Sequence, residues 1–108
     1  MLDPLIRVVL AGAIVLAASP ARADLQAGRQ KAQMCATCHG PLGVATMVNT
    51  PHLAGQPGLY LSEQLKAYRS GKRTHDIMTL IAKPLTDDEI ANLSAWYSSL
   101  QIEVKEKP

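Results

Sequence analysis

The chain is 108 residues long, carries a formal net charge of +2, and contains no phenylalanine, one tryptophan, three tyrosines and two cysteines. That charge, with no basic block, excludes a nucleic-acid binder, and two cysteines cannot supply a four-thiolate zinc site. A single small domain with so few large side chains needs a cofactor, metal or disulfide to complete its core.

The first 23 residues have the form of a secretory signal. Arg7 and the terminal amine make a weakly positive start, Val8 to Ala18 is uncharged and apolar, Pro20 breaks the run, and Ala21-Arg22-Ala23 is an A-x-A cleavage site. The apolar run is short of the ~20 residues of a comfortable membrane span. The alternative is an uncleaved anchor. The mature domain is therefore expected at residues 24–108, outside the cytoplasm, without a stable membrane span. Losing Arg7, Arg22 and Asp3 leaves nine basic and eight acidic residues, a charge of +1.

A helix is predicted from Asp24 to Cys35, with Asp24 suited to its start and Leu25, Gly28, Ala32 and Cys35 on one face. It leads into Cys35-Ala-Thr-Cys38-His39. CxxCH is the attachment signature of a c-type haem: two thiols on one helical turn add to the vinyl groups of one porphyrin, and the adjacent His39 becomes an axial ligand of the iron. The rivals are weaker. A thioredoxin-like pair needs a cytosolic βαβ setting. A zinc site lacks its second ligand pair, because His52 and His75 are not spaced as one. A disulfide here closes a loop too short to contribute much. Export agrees with the haem reading, since haem c is attached after translocation, and places the domain in the periplasm.

Residues 40–58 hold four glycines and three prolines and are expected to be a loop wrapping a flat cofactor. A second helix is predicted at Leu59 to Ser70, with Leu61, Leu65 and Tyr68 at helical spacing and Gly71 as its C-terminal cap. Lys66, Arg69, Lys72 and Arg73 suit the helix dipole at that end; Lys72 or Arg73 is also a candidate for a haem propionate. Thr74 to Pro84 reads as a flexible segment returning over the cofactor. Thr86-Asp87-Asp88-Glu89 is a capping box that opens a third helix running to about Leu100, with Ile90, Leu93, Tyr97 and Leu100 as its buried stripe and Trp96 at the edge. Glu103 to Lys107 reads as a solvated end.

The sixth ligand of the iron decides between a carrier and an enzyme. Met34 and Met47 are poorly placed, the first beside Cys35 and the second in the glycine-rich loop, whereas Met78 lies in the returning segment. A thioether there raises the potential and closes the iron to substrates. His75 and His52 compete for the position, and bis-histidine coordination would lower the potential.

With these features in order, the chain resembles the class I cytochromes c, in particular the small bacterial periplasmic ones. The likeness covers nearly all of Asp24 to Leu100 and rests on Gly28, CATCHG at Cys35 to Gly40, PHLAGQ at Pro51 to Gln56, SGKR at Ser70 to Arg73, Met78, and LTDDEIANLSAWY at Leu85 to Tyr97. It implies an all-α class I cytochrome c fold, three main helices and loops around one covalent haem c. It further implies His39 and Met78 as axial ligands, the Pro51 carbonyl as acceptor of the His39 Nδ1 proton, and Gly28 as the point where the first helix crosses the last against Trp96 or Tyr97. Some similar proteins carry two such domains in tandem, and this chain has one CxxCH.

The function expected is one-electron transfer with redox partner proteins: a periplasmic dehydrogenase or respiratory complex as donor, an oxidase or reductase as acceptor. A relay subunit of a larger periplasmic dehydrogenase is the nearest alternative. The catalytic alternative is a haem peroxidase or sensor with an open iron, for which His75 and Asp76 are the available acid-base groups.

Overall fold

A computed structural model describes residues 11–17 and 22–108. The expected signal peptide lies largely outside the described residues. Asp24 opens the domain: its carboxylate accepts the N–H groups of Gln26 and Ala27 and caps α1 (Leu25–Lys31). After one turn at Ala32, α2 (Gln33–His39) continues the chain through the whole CxxCH run. The predicted single helix ending at Cys35 is therefore two segments ending at His39. Cys35 N–H bonds to the Ala32 carbonyl three residues back, a tightening that separates them.

α3 (Gly58–Ser70) ends on Gly71 in the left-handed conformation (φ 81°). α5 (Asp87–Ser99) opens on the reciprocal Thr86–Glu89 capping box, with both side-chain-to-backbone bonds at 3.1 Å. Between them Met78–Ala82 forms a short helix, α4, where a flexible segment was expected. Five residues ahead of Pro84 are too few to display a helical period, so no apolar pattern announces this turn. Among the described residues there is no strand, and no helix is long and apolar enough to cross a membrane.

α5 is the organising element. Ile90, Leu93 and Tyr97 are buried along it and meet Leu61 and Tyr68 of α3, Ala32 before α2, Ala82 of α4 and Leu85. Burying Ile90 and Leu93 this fully is worth about 1.5–3 kcal/mol each. α1 crosses α5 at Gly28, where an added Cβ would lie 2.1 Å from the Asn92 carbonyl oxygen and 2.9 Å from Trp96 Cβ. The crossing is thus against Asn92 and Trp96, and Tyr97 turns inward to the core. Asp24 N–H donates to Asn92 Oδ1 (2.8 Å), and Lys31 pairs with Glu89, so both ends of α1 are fastened to α5.

Candidate haem site

α2 projects Cys35, Cys38 and His39 into one cleft of about 370 Å³. Leu53, Leu61, Leu65, Ile81 and Leu93 supply apolar wall, and Met78 of α4 lines the same cleft. The two thiols are not joined to each other. Among the described residues no three His, Cys, Asp or Glu side chains converge as a metal-binding group.

His39 is buried, and its Nδ1 lies 2.8 Å from the Pro51 carbonyl oxygen. A carbonyl only accepts, so Nδ1 carries the proton and Nε2 keeps its lone pair for a metal. The loop that holds Pro51 is fixed in turn. Gly43 accepts Leu53 N–H (2.7 Å) and Ala54 N–H (3.1 Å) on its carbonyl, and Gly55 N–H reaches the Tyr97 carbonyl (2.9 Å). Gly43 sits at φ 75°, and a Cβ there would be 2.8 Å from the Tyr97 ring, so both its backbone conformation and the close approach demand glycine.

All three methionines under consideration line the cleft. Met34 and Met47 are 40% and 50% exposed, whereas Met78 packs half-buried against the core cluster. The competing histidines separate clearly. His52 is exposed and away from the cleft, with Nδ1 accepting Ala45 N–H (2.8 Å). His75 stands at the cleft rim, but its Nδ1 accepts the N–H groups of Ile77 and Met78, both at 3.2 Å. Asp76 does not line the cleft, so it and His75 do not form a pair across it.

Of the two basic candidates only Arg73 borders the cleft. Its guanidinium lies 4.6 Å from the Tyr68 ring centroid and donates to Gln64 Oε1 (2.7 Å).

Tyr97, which helical periodicity assigns to the core, and Ser94, which the apolar pattern does not single out, both line the cleft. Burial, and then the neighbouring Cys35 thiol, push the Tyr97 hydroxyl well above the usual phenol pKa. Burial likewise raises the Cys35 thiol, opposed by the neighbouring Tyr97 hydroxyl and by Lys31. Ser94 Oγ is buried on the cleft wall with no protein partner. Two thiols on one turn, an imidazole with Nε2 free, a half-buried thioether, an apolar cleft and an orphaned wall hydroxyl fit a covalently attached haem.

Residues 25–101 match the family profile described as Cytochrome c. The chain is 42% identical over 84 residues to cytochrome c4 of Thiocapsa roseopersicina, covering 77% of this chain but 43% of that one. It is 40% identical over 79 residues to cytochrome c-554(548) of Halomonas halodenitrificans, covering 70% of this chain and 95% of that one. It thus spans less than half of the c4 relative and nearly all of the c-554(548) relative. Among solved structures, cytochrome c4 of Acidithiobacillus ferrooxidans superposes with a TM-score of 0.69 (28% identity, 77% of this chain, 53% of that one). Thiosulfate dehydrogenase of Marichromatium purpuratum gives 0.69 as well (34% identity, 80% of this chain, 21% of that one). The chain belongs to the cytochrome c family, with its all-α class I fold and haem c as cofactor.

Proposed function

We propose that residues 24–108 form a periplasmic single-haem electron carrier, in which Cys35 and Cys38 bind the porphyrin covalently and His39 and Met78 hold the iron. The observation that carries this is the convergence of both thiols, an imidazole and a half-buried thioether on one apolar cleft. Haem, when bound, supplies a one-electron Fe(III)/Fe(II) couple. The protein's part is to hold the donor atoms still. Pro51 fixes the His39 ring and its tautomer, Gly43 closes the Pro51 loop on itself through Leu53 and Ala54, Gly55 ties that loop to Tyr97 of α5, and the apolar wall excludes water, which together with a thioether donor favours the reduced state. With His39 and Met78 as its protein ligands the iron would offer substrate no entry, and little would need to move during transfer.

Cleavage after Ala23 is compatible with the fold: Asp24 N already donates to Asn92 Oδ1, and a free amine there would keep that bond in charge-assisted form. Partners are redox proteins, a periplasmic dehydrogenase or respiratory complex on one side and an oxidase or reductase on the other, in brief, small-area encounters. A second reading, the relay subunit, is favoured by the likeness to a thiosulfate dehydrogenase, and co-purification with a larger dehydrogenase chain would establish it.

The ligand assignment is tested with Met78→Ala. The ferric wild type should show the sulfur-to-iron charge-transfer band at the red edge of its visible spectrum, and the variant should lose it. A band that survives the substitution would move the assignment to another residue.

A further inference from the structure

α4 is too short to hold itself. A helix of five residues is far below the length that persists alone in water, and its assigned first flank, Ile77, offers no side-chain cap. The first α-type bond begins earlier, from Thr79 N–H to the His75 carbonyl (3.0 Å). Counted from there, His75 occupies the capping position, and its imidazole does what Asn or Ser usually does. Nδ1 accepts the N–H groups of Ile77 and Met78, while Thr79 Oγ1 accepts His75 N–H at 2.9 Å. Three N–H groups that a helix start leaves unpaired are satisfied, and one of them belongs to Met78 itself.

The cap is anchored on its other side. Arg73, two residues before His75, donates its N–H to the Ala67 carbonyl (3.0 Å) and its guanidinium to Gln64, both in α3. A nitrogen lone pair that receives two N–H donors carries no proton, so the neutral ring is protonated on Nε2. His75 is therefore committed through Nδ1 to the backbone of the turn that carries the thioether.

We propose that His75 is a positioning residue for Met78, fixing through its capping bonds the turn from which the sulfur reaches the iron. The inference rests on Met78 being the sulfur ligand. The test uses ferric holoprotein of the wild type, His75→Ala and His75→Asn, titrated with imidazole as competing ligand, with the charge-transfer band followed on heating beside the far-ultraviolet helix signal. His75→Ala should bind imidazole about fivefold more tightly, the effect of a lost cap, and should lose the band at a temperature where the helix signal is intact. His75→Asn, whose Oδ1 can accept the same N–H groups, should return to within about twofold of wild type.

Identical imidazole affinity and band loss in wild type and His75→Ala would overturn the proposal. So would an Asn variant as impaired as Ala. A wild type with no band refutes the Met78 reading and this proposal together, whereas a wild-type band indifferent to His75→Ala refutes the positioning alone. If His75→Ala yields no folded holoprotein, Thr79→Val removes the reciprocal bond at similar volume; about twofold tighter imidazole binding supports the proposal, and no change overturns it.

Discussion

Gly28→Ala tests the helix crossing on which the site is built. In isolation the substitution should help, because alanine is favoured over glycine inside a helix by about 1 kcal/mol. The structure reverses that sign. The new Cβ would lie 2.1 Å from the Asn92 carbonyl oxygen and 2.7 Å from its carbon, and both are backbone atoms of α5 that cannot rotate away. Reaching ordinary contact at 3.4 Å means moving α1 from α5 by more than about 1 Å, at the expense of the Asp24–Asn92 bond and the Lys31–Glu89 pair. Overpacking of this kind costs about 1–3 kcal/mol, and with no flexible side chain to yield the upper end applies. Net of the helix gain, the loss is about 2 kcal/mol, or about 8–16 °C in melting temperature for a domain this small. Thermal unfolding of the holoprotein followed by far-ultraviolet circular dichroism reads it directly. A melting temperature equal to or above wild type would refute the close α1–α5 approach.

Two further outcomes follow from particular contacts. Replacing Cys35 and Cys38 by Ala should allow acid-acetone to extract the haem, which the wild type should retain; release from both proteins would contradict thioether attachment. Lys31 and the Thr86 backbone hold the Glu89 carboxyl below its ordinary pKa. Its folded value being depressed, the stability it contributes is present above the unfolded value of about 4.3 and is lost as pH falls through the lower folded one. Glu89→Gln, which can still accept Thr86 N–H, should therefore flatten the fall of melting temperature with pH below about 4.3; an unchanged acid limb would remove the Lys31 pair from the account.

How far the sequence could be read depended on whether a feature was local. α3 and α5 are legible because Gly71, the Thr86–Glu89 box and the apolar stripes are written in neighbouring residues. α4 is not, since its stability comes from His75 and Thr79 and from burial of Ala82 rather than from a period. The break at Ala32 is similarly silent, being a change of hydrogen-bond register in good helix formers. In the site, CxxCH announces itself, while the Pro51 expectation came through family resemblance, because no local rule says which loop carbonyl will face a histidine. Tyr97 and Ser94 share a face of α5 with Ile90 and Leu93, and periodicity does not distinguish a residue facing a cofactor from one facing core. Gly28 was legible as a small residue for a close crossing, yet its partners, Asn92 and Trp96, depend on the register of two distant helices.

In the proposed carrier, a haem bound through both thiols would be closed by nitrogen from His39 and sulfur from Met78. A redox titration of the purified holoprotein followed by ultraviolet-visible spectroscopy tests it most directly. The expected result is a reversible one-electron couple between low-spin ferric and ferrous forms, with the sulfur-to-iron band present only in the ferric state. Colourless protein, or a high-spin ferric spectrum that converts readily on addition of cyanide, would contradict it.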